Sequence, residues 1–166
     1  RRQEGEERVQ ADPDCKKYIN GIYLKSNVSK IENESFCDFV NLKKITFPPT
    51  FKSIGINSFM NTALIEITIP NSVRKIKNGA FMNCESLIKV DLPLSLEKIG
   101  NCAFKGCIQL KKIVIQSPLK LIQESTFENC KSLTRVILPN SVVTIENQAF
   151  CECESLNLIN ILSKIP

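Results

Sequence analysis

The chain has 166 residues, of which 43% are hydrophobic and 23% are charged, a balance typical of folded globular or repeat proteins and not of extended disorder. The net charge of +5 is modest and there is no Trp and only two Tyr, so we do not expect nucleic acid as a partner. The sequence has no His, which removes the usual general base and every His-containing metal site, and no apolar run is long enough to span a membrane.

The amino-terminal residues differ from the rest of the chain. Residues 1–14 are rich in charge, lack aromatic side chains and match no later segment. We therefore expect residues 1–18 to form a flexible leader or an amino-terminal cap. The repeated pattern begins near Ile19, and at the other end it stops midway through a unit, so we expect residues 19–166 to be a fragment of a longer array.

Residues 19–166 are dominated by a repeat of about 23 residues. One aromatic column recurs at intervals of 23, 22, 23, 23 and 23 residues: Phe36, Phe59, Phe81, Phe104, Phe127 and Phe150. Leu and Ile columns recur in phase with it, and the single deletion lies just after Phe59. One unit cannot bury its own apolar residues, so the pattern predicts stacked units that share a continuous core.

Each unit has three segments of different periodicity. In the unit at residues 87–107, residues 87–92 alternate in polarity as a half-buried strand does, and Pro93 ends that strand. Residues 95–99 form a second short extended segment, followed by a bend at Gly100. Residues 101–108 carry Ala103, Phe104 and Cys107 at the spacing of one or two helical turns. The unit therefore predicts an α/β repeat of short strands and short helical turns.

The motif Ile-Pro-Asn-Ser-Val-x-x-Ile-x-x-x-Ala-Phe-x-x-Cys-x-x-Leu, at residues 69–87, resembles the repeat of the BspA-like, or treponemal-type, leucine-rich repeat family. Matching columns cover residues 19 to about 161. The resemblance implies a right-handed leucine-rich-repeat solenoid with short strands on two faces. The sequence departs from the motif at Thr62, which replaces Cys, and at Gln116 and Pro118, where the Pro is displaced by two positions.

Four of the eight Cys occupy one column, three residues after the Phe: Cys84, Cys107, Cys130 and Cys153. We expect these thiols to pack in the core, and a disulfide between neighbours would require their side chains to face each other. The Cys151-x-Cys153 pair lacks a second ligand pair, so no metal site is predicted. Carboxylates stand singly and there is no glycine-rich phosphate loop, so we expect no cofactor, no catalytic residue and no enzymatic activity.

A basic stripe with one break is predicted on an exposed strand face. The residue before the core Ile or Val is Lys44, Glu66, Lys89, Lys112 and Arg135 in successive units. Val114 and Ile137 add an apolar pair to an otherwise polar exposed column. The stripe is either a solvated face that discourages aggregation or a surface for an acidic partner. The candidate binding residues are therefore Lys44, Lys89, Lys112, Arg135, Val114 and Ile137.

These features predict a non-enzymatic module that binds another protein. The family resemblance implies adhesion at a cell surface, with an extracellular-matrix or host surface protein as the partner. Because members of the family also occur inside cells, an intracellular scaffold or regulatory adaptor is the first alternative. A structural stalk that holds other domains apart is the second. The sequence does not specify the compartment or the oligomeric state.

Overall fold

Each repeat contributes two short strands to the computed structural model, which describes residues 7–9 and 13–162. The strands are β1 (Glu7–Val9), β2 (Gly21–Tyr23), β3 (Val28–Ile31), β4 (Lys44–Thr46), β5 (Ser53–Ile54), β6 (Glu66–Thr68), β7 (Lys75–Ile76), β8 (Lys89–Asp91), β9 (Lys98–Ile99), β10 (Lys112–Val114), β11 (Leu121–Ile122), β12 (Arg135–Pro139), β13 (Thr144–Ile145) and β14 (Leu158–Leu162). A 3-10 helix at Pro13–Cys15 is the one helix in this part of the chain.

The strands form two faces of a parallel β-solenoid of about six turns. The broad face contains β2, β4, β6, β8, β10, β12 and β14, and the narrow face contains β1, β3, β5, β7, β9, β11 and β13. Every recorded strand pair is parallel, and from β2 onward partner residues lie one repeat apart, as Ile113 and Val136 do. Each coil therefore places the same motif position directly over its counterpart, which confirms the predicted stacking of 23-residue units.

The interior is a set of apolar columns that run through all coils. The six repeat Phe rings lie over one another with centroids 5.3–5.6 Å apart, and four of the five successive pairs are within 8° of parallel. Leu and Ile side chains fill the remaining volume and are buried in the central coils. Since each unit covers its neighbour, apolar burial is the main driving force for stacking.

The third side of each coil consists of consecutive turns. In the central unit, the N–H of Phe81 donates to the carbonyl of Ala103 in the next coil at 2.8 Å, whereas the N–H of Met82 donates to the carbonyl of Gly79 within its own turn at 2.9 Å. The backbone is left-handed two residues before and two residues after the Phe, at Gly79 (φ 62°) and Asn83 (φ 56°). Alternate amides thus point along the solenoid axis.

The short helical turns predicted for this side are not found, because residues 101–106 are turns and not helix. The spacing of Ala103, Phe104 and Cys107 places all three in the core in either conformation, and all three are buried. Consecutive turns let half of the amides bond to the next coil, an arrangement that a helix cannot provide. The α/β class is therefore not confirmed, and the described chain is a β-solenoid.

Two of the three interruptions of the sheets lie where the repeat departs from its motif. On the broad face the ladder breaks between β4 and β6, which flank the deletion after Phe59, and again between β8 and β10. On the narrow face it breaks between β9 and β11, next to Gln116 and Pro118. At the first break, Phe47 makes no bond to the next strand within the described residues, whereas the N–H of Leu24 donates to the carbonyl of Thr46 at 3.1 Å and the N–H of Ile69 donates to the carbonyl of Asp91 at 3.0 Å.

Candidate functional site

The exposed residues of the broad face form two columns. In β4, β6 and β8 the middle residue is buried and the residues on either side are exposed, as the two-residue period of a strand requires. Parallel register then aligns the outer residues into one column with Lys44, Glu66, Lys89, Lys112 and Arg135 and another with Thr46, Thr68, Asp91, Val114 and Ile137.

Four of the predicted binding residues come together on β10 and β12. Lys112 is the register partner of Arg135, and Val114 is the register partner of Ile137. Paired strands lie about 4.8 Å apart, so the two cations are neighbours. No carboxylate of the described residues forms a recorded ion pair with either cation. Val114 and Ile137 are half-buried, so they are less exposed than the sequence predicts. We call these four residues the basic-apolar patch.

Lys89 is not part of this patch. Its ammonium lies 2.9 Å from the carboxylate of Asp91, and the hydrogen bond to Asp91 raises the pKa of Lys89. Glu66 is its register partner on the other side and adds a second negative charge. The ladder is interrupted between β8 and β10, so Lys89 has no register partner in β10. The charge of Lys89 is therefore largely compensated, which the basic stripe predicted from the sequence did not indicate.

Lys44 lies farther along the broad face, at a groove that the sequence did not predict. The groove has a volume of about 860 Å³ and runs between β4 and β6, where the sheet is interrupted. Its walls are residues 43–47, 49, 65–68, 70 and 71, including Lys43, Phe47 and Pro70. We call it the β4–β6 groove. The deletion after Phe59 was the available signal, but only the three-dimensional register shows that a gap opens there.

A smaller groove of about 330 Å³ lies at the interruption of the narrow face, lined by Glu97, Lys98, Pro118, Lys120, Leu121 and Gln123. Here the displaced Pro118 is part of the wall. Both grooves therefore occur at departures from the repeat motif.

The Cys column belongs to the core. The thiols of Cys84 and Cys107 donate to the backbone carbonyls of Phe59 and Phe81 in the preceding coil, at 3.1 and 3.3 Å. Burial raises the pKa of Cys84 to about 12 and raises that of Cys107 well above its ordinary value. All eight Cys are free. Within the described residues, no group of three or more Cys, Asp or Glu side chains is placed to hold a metal ion.

Thr62 replaces Cys in the shortened unit and donates to a different acceptor. Its hydroxyl donates to the carbonyl of Phe59 within its own turn at 3.0 Å, not to a carbonyl of the preceding coil, and lies 3.2 Å from the Cys84 thiol. The column is therefore a hydrogen-bonding position, which explains why a small polar side chain is accepted in the core.

A parallel β-solenoid with a continuous apolar interior and repeated exposed strands is the architecture of a leucine-rich repeat scaffold. A family model described as BspA type leucine rich repeat region matches six copies over residues 14–134 and 75–166. The chain belongs to the BspA-type leucine-rich repeat family, as the sequence motif predicted.

Solved structures of bacterial leucine-rich repeat proteins have the same fold. A Treponema pallidum leucine rich repeat protein matches with a TM-score of 0.62 at 29% identity, covering 87% of this chain and 58% of its own. A leucine-rich repeat protein from Eubacterium ventriosum matches with a TM-score of 0.58 at 21% identity, covering 85% of this chain and 32% of its own. This chain thus spans about a third to somewhat over half the length of these two proteins.

No curated protein matches this chain in sequence. Within residues 7–9 and 13–162, no helix has the length and hydropathy needed to cross a bilayer.

Proposed function

We propose that this chain binds an acidic region of a partner protein through the basic-apolar patch, and that it does so as a cell-surface adhesin-like module. Leucine-rich repeat folds generally serve as scaffolds for protein interactions, and the exposed strands of such arrays supply the contact residues. The observation that carries the proposal is the pairing of Lys112 with Arg135 beside Val114 and Ile137.

Two adjacent cations without recorded carboxylate partners repel each other in the free protein, so an acidic partner relieves that repulsion when it binds. The neighbouring apolar side chains lose their remaining contact with water in the same event. Arg also presents a planar set of donors that suits bidentate contact with a carboxylate. A partner surface with Asp or Glu beside aliphatic side chains fits this combination.

The test is binding of the purified chain to immobilised extracellular-matrix proteins, with Lys112→Glu and Arg135→Glu combined in one variant. We expect this variant to lose at least tenfold in affinity, and we expect wild-type binding to weaken as salt is raised. The matched control is Lys75→Glu with Lys98→Glu, because these two Lys are exposed register partners on the narrow face and the change in net charge is the same.

Equal loss in both variants would show that net charge and not the patch drives binding, which contradicts the proposal. Binding unchanged by either variant would place the contact outside the patch and contradict the proposal, whereas no binding by the wild-type chain would favour the structural stalk. Adhesion itself is tested by treating intact source cells with a membrane-impermeant protease. Digestion of this chain supports the adhesin role, and complete protection would direct the search to a cytoplasmic scaffold or adaptor.

A further inference from the structure

We propose that the β4–β6 groove is a second binding site, which takes an extended peptide segment of a partner protein carrying one carboxylate side chain and one apolar side chain. This inference rests on the proposed function in one respect only, namely that the chain binds proteins. The site is separate from the basic-apolar patch, because β8 and the interruption after it lie between the two.

The groove leaves part of a core side chain uncovered. The residue that follows the broad-face strand is buried at Leu24 and Ile69, but it is only half-buried at Phe47 and Leu92, which both precede an interruption of the sheet. The ring of Phe47 packs against Phe51, with centroids 4.7 Å apart, and its other surface borders the groove. Apolar surface left open at a gap in a core gains most from a ligand that covers it.

The walls of the groove also offer backbone hydrogen-bonding groups. In the ladder between β2 and β4, alternate residues of β4 bond toward β2, so the intervening residues, Ile45 and Phe47, direct their N–H and C=O groups toward β6. β4 and β6 form no ladder, but the gap between them is bridged at both ends: the N–H of Ile65 donates to the carbonyl of Lys43 at 3.2 Å, and the hydroxyl of Ser72 donates to the carbonyl of Pro49 at 2.7 Å. A peptide would therefore lie along the outer mouth of the groove, where its backbone can reach these groups, and not between the two strands.

Charge decides which side chains the peptide carries. Lys43 and Lys44 stand at the entrance where β4 begins, whereas Phe47, Pro49 and Pro70 line the end where it finishes. Glu66 faces the two Lys from the opposite wall and disfavours a run of negative charge. The groove therefore fits a single carboxylate at its basic end and an apolar side chain at its other end.

The distance between the two ends sets the spacing within the peptide. Lys44 and Phe47 are three residues apart, which is about 10 Å along a strand. In an extended peptide, side chains on one face recur every two residues, or about 7 Å. Because the Lys side chain is flexible, an Asp and a Phe separated by two or four positions span the groove.

The experiment titrates the full chain with blocked peptides in which one Asp and one Phe, two or four positions apart, lie in a Ser background. Methyl NMR shifts report the site, because Ile45 and Ile67 line the groove whereas Ile137 belongs to the patch. We expect saturable shifts at Ile45 and Ile67 and not at Ile137. Replacing the Asp of the peptide by Asn should weaken binding about threefold, as expected for an exposed ion pair.

Two variants test the location. Thr46→Trp fills the groove at an exposed side chain and should abolish peptide binding. Thr144→Trp makes the same substitution at an exposed Thr of the narrow face and should leave binding unchanged. Lys44→Ser tests the basic end independently and should weaken binding about threefold.

Absence of saturable shifts at millimolar peptide, or binding that survives Thr46→Trp, would overturn the proposal. Equally tight binding of 3-phenylpropanoate would also overturn it, since the site would then take a small carboxylate and not a peptide. The variant with Lys112→Glu and Arg135→Glu separates the two proposals, because it should lose matrix binding and retain peptide binding. Each site can therefore fail without the other.

Discussion

Shortening Phe104 to Ala should destabilise the solenoid far more than the same change at Phe150. Phe104 is fully buried and its ring stacks on Phe81 at 5.3 Å and on Phe127 at 5.6 Å. Loss of a buried Phe side chain and the resulting cavity costs at least about 3 kcal/mol. Two lost ring contacts add about 1–3 kcal/mol, so we expect a total of about 4–6 kcal/mol.

Phe150 is only half-buried and has one ring neighbour, Phe127, at 5.5 Å. Half of the burial contribution and one ring contact predict a loss of about 2–3 kcal/mol for Phe150→Ala. Urea unfolding, monitored by circular dichroism, measures the free energy of unfolding of each variant. The two values are compared with the same slope of free energy against urea concentration. A loss at Phe104 equal to or smaller than the loss at Phe150 would refute the view that a continuous Phe column stabilises the array.

Three further predictions concern the core and the turns. A maleimide should react with the fully buried thiols of the Cys column only after denaturation, whereas it should react at once with exposed Cys151. Mass spectrometry would show the difference. The buried thiols are those of Cys84, Cys107 and Cys130. Gly79→Ala should cost at least about 1 kcal/mol, because φ is +62° and the new Cβ would collide with the side-chain oxygen of Asn57. Gly21→Ala has its nearest contact at 3.8 Å and should change the unfolding free energy by less than about 0.5 kcal/mol. Glu128 lies 2.9 Å from the ammonium of Lys105, and that contact lowers the pKa of the Glu128 carboxyl below its ordinary 4.5. The pair therefore stabilises the fold fully above pH 4.5 and loses this contribution as pH falls through the lowered pKa, so Glu128→Gln should flatten the acid side of the stability profile, and an unchanged profile would contradict the assignment.

The candidate sites were predictable only in part. The sequence correctly places Lys112, Arg135, Val114 and Ile137 on one face, because the strand period and the repeat length together determine which residues align. It could not show that Asp91 compensates Lys89, since that contact depends on side-chain positions within one strand. It also could not show the β4–β6 groove, because a deletion can be absorbed in a turn or can open a sheet, and only packing decides between them.

The sequence by itself determined the repeat length, the family and the interior columns of Phe, Leu, Ile and Cys. Core positions are readable because every coil presents the same side to its neighbours, so burial selects the same residue types at the same phase. The tertiary structure alone decided that the third side is made of turns. The spacing of Ala103, Phe104 and Cys107 is compatible with a helix or with turns, and the choice depends on amides that bond to the next coil. Such bonds join residues one repeat apart, so no single unit contains the information that selects them.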